Sequence, residues 1–341
     1  MPRFAGCLLL LLLVCGTARA QRTYLVDDFS PAYFGKIYLA DTAAVFNPGW
    51  VAVYDRKTRR QVLKVASEEL ALSLHHGRAL ANVQELPYGE QSLIISEDFN
   101  FDGRQDLALE DGQNSCYHGP SFQVYLATPT GFAHSAAFTR LAQEYCGMFR
   151  TDARARRLST MTKSGCCWHE VAEYVVKNNA PFQVHRVEED MMQYPFGTIT
   201  EETWNGQRTV THTRQTVDLA ANNVQVLGSA PLPETHRRIV LFTTDGTTLH
   251  YALLRPDGTV EFRYPGPGTD EAPFELTCGL AVTTLKFRNH GAVYRFRETA
   301  ATPVALEVQN GPAKRVLYTP DSTRAFLQPL RTLPLENVRK Q

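Results

Sequence analysis

The sequence predicts an all-β protein, and three observations carry that expectation. Apolar residues recur at every second position over short runs, as in Gln61-Val62-Leu63-Lys64-Val65 and Ser121-Phe122-Gln123-Val124-Tyr125-Leu126. That is the period of a half-buried strand. Between such runs stand the turn pairs Asn205-Gly206, Asp245-Gly246 and Asp257-Gly258, the dipeptides that supply the left-handed backbone of tight hairpins. Finally, a loop of alternating oxygen-bearing residues, Asp98 to Asp106, lies between the apolar runs Ser92-Leu93-Ile94-Ile95 and Leu107-Ala108-Leu109.

The 341 residues suffice for one large or two modest domains. Residues 1–20 are not expected to belong to the fold. Arg3 precedes an apolar run, Leu8 to Val14, and Ala18-Arg19-Ala20 follows; this is the pattern of a secretory signal peptide ending before Gln21. Cys15 is preceded by Val14, where a lipoprotein would carry a small residue, so a soluble exported protein is expected, periplasmic or secreted. No later run is long enough to span a bilayer as a helix. Removing the leader takes Arg3 and Arg19 from the 35 basic residues and none of the 35 acidic ones, leaving about −2. A balance so close to neutral gives no pull toward nucleic acid or an acidic membrane surface.

Taken in order, Ile37 to Ala40 and Val51 to Tyr54 read as strands, Asp55 to Thr58 as a turn, and Gln61 to Val65 as the next strand. Glu69 to Leu74 alternates as a further strand, and His75-His76 as an exposed turn. Past the oxygen-rich loop, Asp111 to Asn114 turns, Ser121 to Leu126 is a strand, and Pro129-Thr130-Gly131 turns it back. Ser135 to Glu144 is helical or irregular text, and Glu173 to Val176 is again a strand. Asn205-Gly206 sets a hairpin ahead of Thr209 to Thr213. Gly228-Ser229-Ala230-Pro231-Leu232-Pro233, small residues and two prolines, is the best linker candidate. Ile239 to Phe242, Thr248 to Leu254, Thr259 to Tyr264, Thr283 to Arg288 and Ala292 to Arg297 then form a small antiparallel unit. From about Asp321 a short helix-capable piece leads into a polar tail expected to fray. The expected domains are therefore 21–227 and 235–330, with a linker at 228–234 and a tail at 331–341.

The loop is the candidate functional feature. Asp98, Asn100, Asp102 and Asp106 occupy positions one, three, five and nine, Gly103 sits at six for the sharp turn, and Arg104 offers its backbone carbonyl at seven. Hard cations such as Ca²⁺ take six to eight oxygen ligands, and alternate residues of a tight loop aim their oxygens to one side. The bidentate Glu that an EF-hand carries at position twelve is replaced by Leu109, and the flanks are strands, so this is no EF-hand. A D-x-N-x-D-G-x-x-D loop between strands resembles the FG-GAP repeat of integrin-type propellers. The alternative is an Asp/Asn/Gly-rich hairpin turn without metal; four ligand-type residues in register with the glycine favour calcium.

Seven cysteines are present, of which Cys7 and Cys15 leave with the signal. In an oxidising compartment the clustered Cys116, Cys146, Cys166 and Cys167 are expected to form two disulfides. Cys166 and Cys167, being adjacent, are each expected to pair outward with Cys116 and Cys146 in either order. Cys278 is then the odd thiol, expected to be a small buried hydrophobe. Cys116-Tyr117-His118 and Cys167-Trp168-His169 also offer a zinc tetrad, but the spacing is narrower than structural zinc sites use and exported thiols oxidise. No G-x-S-x-G elbow and no H-E-x-x-H helix occurs. Glu97, Glu110 and Asp111 near the loop are better explained by charge balance than as a glycosidase pair. No catalytic residue is assigned, and the chain is not expected to be an enzyme.

The loop Asp98-Phe99-Asn100-Phe101-Asp102-Gly103 with Asp106-Leu107-Ala108-Leu109, then Gly119 to Tyr125, then Ser164-Gly165-Cys166-Cys167-Trp168-His169 with Glu173-Tyr174, together resemble the periplasmic FG-GAP-type immunity proteins of bacteria. The resemblance covers roughly residues 35–215. It implies a calcium-loaded, β-propeller-like N-terminal domain with one calcium loop held by Asp98, Asn100, Asp102, Arg104 and Asp106, and bridged cysteines. It further implies inhibition of a lysozyme-like peptidoglycan hydrolase, with no partner-contacting residue carried over. Residues 235–330 depart from that pattern as a small antiparallel β module. A second function class also fits: an envelope glycan-binding module or cell-wall enzyme using Trp204 or the tyrosines as stacking platforms.

Overall fold

The computed structural model describes residues 21–85, 89–266, 273–300, 304–318 and 327–341; the leader lies outside the described residues. The chain divides into two compact units. Unit one holds the described residues up to Thr162 together with Glu173–Gln183, and unit two holds Lys163–Ala172 together with Val184–Gln341.

Unit one begins with an antiparallel meander of β1 (Arg22–Val26), β2 (Tyr33–Leu39), β3 (Asn47–Asp55) and β4 (Gln61–Leu70), in that order across the sheet. The period-two pattern puts Ile37, Leu39, Val51, Val53 and Val65 on one face, a register shift in β4 adds Leu70, and all are buried with Val26 and Phe29. Leu93, Ile94, Leu107 and Leu109 complete this core. Gly35 lies close under this core: a Cβ added to it would stand 2.3 Å from Ile94 Cδ1, so that methyl would have to move. The other face of the meander carries Tyr38 stacked on Trp50 and Phe34 stacked on Tyr54. Residues 69–70 close β4 instead of starting a further strand, because the chain leaves the sheet after Leu70 to turn at His75 and Arg78.

A second meander follows: β5 (Ile94–Ile95), β6 (Leu107–Ser115), β7 (Gly119–Thr128) and β8 (Gly131–His134). The oxygen-rich loop connects β5 to β6. Helix α1 (Ala136–Leu141) realises the helical text and buries Phe138 and Leu141. Next come β9 (Arg150–Asp152) and β10 (Arg157–Ser164), an antiparallel pair, then β11 (Trp168–Lys177) and β12 (Ala180–Gln193). The division between units falls inside β10, β11 and β12.

In unit two, β13 (Phe196–Trp204) and β14 (Thr209–Val217) form the hairpin turned by Asn205-Gly206. β15 (Val224–Leu232), β16 (Arg237–Thr244), β17 (Thr248–Leu254) and β18 (Val260–Tyr264) join them in the order β15-β16-β17-β18-β14-β13-β12. A second sheet holds β19 (Phe274–Cys278), β20 (Val282–Asn289), β21 (Ala292–Thr299), β22 (Ala305–Asn310), β23 (Ala313–Tyr318) and β24 (Val338–Lys340). Its order is β23-β22-β21-β20-β19-β24, antiparallel except that β24 runs parallel to β19. None of the sheets closes on itself. Ile239, Leu241 and Tyr251 on one side of the first sheet pack with Phe274, Phe287, Phe296 and Leu306 of the second. Val240, Phe242, Ala252 and Leu254, one residue out of phase, are buried on the opposite face with Phe196. This double burial is why Ile239 to Phe242 reads as an unbroken apolar run.

Three expectations are corrected. Residues 228–234 are not a linker: Gly228 to Leu232 are the second half of β15, with Ala230 and Leu232 in the core. β15 is an edge strand, where proline costs no ladder bond, and a register shift at Gly228 re-aims it. The change of unit therefore comes far earlier than 227, within the long strands that follow Cys146. The tail does not fray. Asn337 clamps Leu249 through two bonds of 2.9 Å, and Val338 is buried at the start of β24; the part of the tail at 321–326 lies outside the described residues. Cys278 is exposed, not buried. Alternation would turn it inward with Phe274 and Leu276, but it is the last residue of β19, beside the exposed turn at Gly279.

Among the described residues no helix is long and apolar enough to cross a membrane.

Candidate functional site

The loop between β5 and β6 is a wound turn, with Phe101 at φ +61°. Phe99 and Phe101 turn inward, Phe99 meeting Phe149 edge-on at 5.3 Å. Asp102 is exposed and Asp98 half-buried, whereas Asn100 is buried with the two phenylalanines. Asp98 closes the turn: its two carboxylate oxygens accept from the Asp102 amide at 2.9 Å and the Gly103 amide at 2.8 Å. Gly103 holds φ +88°, the left-handed backbone that position six requires. Asn100 Oδ1 accepts from the Asp102 amide at 3.2 Å, and Asp102 Oδ1 from the Arg104 amide at 2.9 Å.

Asp106 anchors the loop from below. It is fully buried, and its carboxylate accepts from the Phe99 amide at 2.8 Å and the Ala127 amide at 2.7 Å. Burial pushes its carboxyl up to about 6, with those amides pulling the other way. From farther along the chain, Arg156 donates to the Phe101 carbonyl at 2.8 Å, and Asn179 accepts from Asn100 Nδ2 at 3.4 Å. Beside the loop lies a depression of about 320 Å³ bordered by Asn100, Asp102, Arg104, Thr128, His134 and Asn179.

The donor set is all oxygen and fits a hard cation in kind. The oxygens in this arrangement cap backbone amides, those of Asp98 and Asn100 meeting at the Asp102 amide. Among the described residues no group of three His, Cys, Asp or Glu gathers closely enough to hold a metal. What the residues form is a turn already wound in the sense a cation would need, with lone pairs remaining on Asp98, Asn100 and Asp102.

The cysteines form two bridges, but not in the expected pairing. Cys116 bonds Cys146, whose Cα lies 4.8 Å away, and Cys166 bonds its neighbour Cys167. The first ties the end of β6 to the segment after α1, where the Cys116 amide also donates to the Tyr145 carbonyl. The second sits in the turn between β10 and β11 and is exposed at Cys166. With all four sulfurs bonded, a zinc tetrad from these thiols is ruled out. Around Trp168, the indole donates to Glu188 at 3.1 Å, and Arg186 pairs with Glu170, Glu188 and Glu202.

The carboxylates flanking the loop are occupied structurally. Glu110 is buried, accepting through Oε1 from the Ala71 amide at 3.1 Å and Gln113 at 3.0 Å. Its Oε2 has no partner, and burial pushes the carboxyl up to about 8. Asp111 accepts from Ser121, Gln123 and Gln143. Sequence reasoning missed Arg156, Asn179 and Ala127, whose contributions come from distant strands and turns and leave no local pattern.

No family model matches the chain, and no curated protein matches it. Among solved structures it is similar to a type IV secretion system related protein of Xanthomonas, at 18% identity over 57% of this chain and 94% of that one, with a TM-score of 0.41. It is also similar to one of two structurally analysed prolyl endopeptidases, at 8% identity over 86% of this chain and 42% of that one, TM-score 0.26. Prolyl oligopeptidase B from Galerina marginata matches at 8% identity, 87% and 42% coverage, TM-score 0.24.

Proposed function

We propose that this chain is an exported, calcium-bearing β protein that binds and inhibits a lysozyme-like peptidoglycan hydrolase. The observation that carries the reading is the loop: Asp98 winds the turn through two amides, Phe99, Asn100 and Phe101 are buried beneath it, and Asp102 is exposed. A binding protein needs a rigid scaffold and a fixed exposed loop, and no chemistry of its own. The resemblance of this loop and of Ser164 to His169 to FG-GAP-type immunity proteins supplies the hydrolase as partner. The two four-stranded meanders of unit one are blade-sized and support a propeller-like reading. Two disulfides support an oxidising compartment, periplasmic or extracellular. Calcium would be held by Asp98, Asn100, Asp102, Asp106 and the Arg104 carbonyl, and would stiffen the loop.

Residues 21–341 immobilised in calcium buffer should capture a lysozyme-like hydrolase from an envelope extract and suppress its wall-lysing activity. Release on adding EDTA would tie capture to the loop. A hydrolase that passes through in both buffers, with undiminished lysis, overturns the inhibitor reading.

A glycan-binding role is the second reading, favoured by the outer face of β2 and β3. There Tyr38 and Trp50 stack at 5.6 Å, with Lys64 Nζ 4.7 Å over the indole. Retention of purified peptidoglycan without any hydrolase, lost in Trp50→Ala, would select it.

A further inference from the structure

Unit two carries a cavity of about 890 Å³ that neither reading uses, within the range of small-molecule sites. Its wall includes Phe196 at the start of β13, His250 on β17 and Arg263 on β18. Arg263 lies opposite Ala252 in the register, on the face buried with Phe196 and Phe242. Its guanidinium carbon sits 4.3 Å from the centroid of the Phe196 ring, and Nη2 donates to Gln193 Oε1 at 2.6 Å.

The side chain is half-buried, and one atom of the guanidinium is unsatisfied. Nε is buried with no partner, and among the described residues no carboxylate lies within ion-pair distance of Arg263. Other arginines of the same unit differ: Arg186, Arg214, Arg237 and Arg295 each meet a glutamate. A guanidinium keeps its charge in a protein and presents a planar fork suited to carboxylate. Withdrawing part of it from water without an anion is unfavourable, and burial accordingly pulls its pKa down.

We propose that this cavity binds a small organic carboxylate, with Arg263 as its ion-pair anchor. The charge around the cavity matches a monoanion. Arg263 and Arg339 stand against Glu336, and His250 is neutral, its pKa pushed down to about 4 by burial and by the charge of Arg263. The walls match an organic body and not a bare inorganic ion: Tyr194, Pro195 and Phe196 offer apolar surface, and Thr248 a hydroxyl. Asp190 borders a smaller adjoining hollow with Arg263 but makes no ion pair with it. The same carboxylate chemistry is available from a sugar acid or from the free C-terminus of a short peptide.

The test is calorimetric titration of residues 21–341 with sodium glucuronate and with N-acetyl-alanyl-alanine, using glucose and the dipeptide amide as neutral counterparts. One acid should bind at least about tenfold more tightly than its neutral counterpart, and which acid does so identifies the source. Arg263→Gln should weaken that binding by about tenfold or more, and Arg263→Lys by less. The ¹⁵N-edited Nε–H resonance of Arg263 in the unaltered protein should shift during the titration, which reads the site even if the Gln variant fails to fold. Equal affinity for acid and neutral forms, no binding of either acid up to about 20 mM, or an unmoved Arg263 resonance would overturn the proposal.

Discussion

Replacing Glu110 by glutamine should reverse sign with pH. In the folded protein the Glu110 carboxyl titrates at about 8, because burial disfavours its charge, against 4.5 for the unperturbed group. Between those values the folded state holds a proton that the unfolded state has released. Stability therefore falls as pH rises, by up to about 1.4 kcal/mol per pH unit. The loss begins near pH 4.5, is complete above pH 8, and amounts to about 5 kcal/mol in total. Glutamine removes the titration. Its Oε1 can still accept from Ala71 and Gln113, but its amide N–H groups replace an Oε2 that has no partner, a fixed cost of about 1–3 kcal/mol. Glu110→Gln should thus be the less stable protein near pH 4 and the more stable one at pH 9, by roughly 2–4 kcal/mol. Urea unfolding of both proteins across that range measures the difference directly, and the titrations common to both cancel. A difference that stays constant with pH would refute the account of Glu110 as a carboxyl kept neutral by burial.

Three further outcomes are expected. Removing the Cys116–Cys146 bridge with paired serines frees a separation of 30 residues and should cost about 3–4 kcal/mol in urea unfolding; an unchanged midpoint would mean the bridge is not formed. Asp98→Ala deprives two backbone amides of their acceptor. In EDTA it should cost about 1–2 kcal/mol, and it should abolish any rise of Tm on adding calcium; a rise that survives would sink the calcium site. Deleting 337–341 removes β24, the Asn337 clamp and buried Val338. Unit two should lose about 3–5 kcal/mol, whereas a frayed tail would leave its unfolding unchanged.

The sequence was legible where one local pattern had one physical cause. Gln61 to Val65 reads as a strand because one face is buried in unit one. Asp98 to Asp106 reads as a wound loop because its oxygens cap the turn's own amides and Gly103 supplies the left-handed backbone. It misled where context reversed a local signal. Pro231 and Pro233 read as a linker, yet Pro231 lies in an edge strand that never needed its N–H. Cysteine pairing depends on which backbones meet, and Cys116 meets Cys146 across 30 residues, leaving the adjacent pair to each other. The wall of the unit-two cavity was invisible for the same reason: Phe196, His250 and Arg263 come from three strands and share no spacing.

Glu110 and Arg263 present the same problem with different solutions. Glu110 is withdrawn from water wholly and Arg263 in part, and each has a buried polar atom without a partner among the described residues. Glu110 escapes the cost by taking up a proton, since a carboxyl with a raised pKa is neutral over most of the accessible pH range. Arg263 has no such route, because a guanidinium does not deprotonate in a protein. It gains partial relief from the Phe196 ring and Gln193, and an anion entering the cavity would supply the ion pair it lacks among the described residues. A buried acid of this kind is therefore a stability feature that pH alone reveals. A half-buried arginine with no ion-pair partner among the described residues favours an anion, and the adjoining cavity gives a ligand access to it.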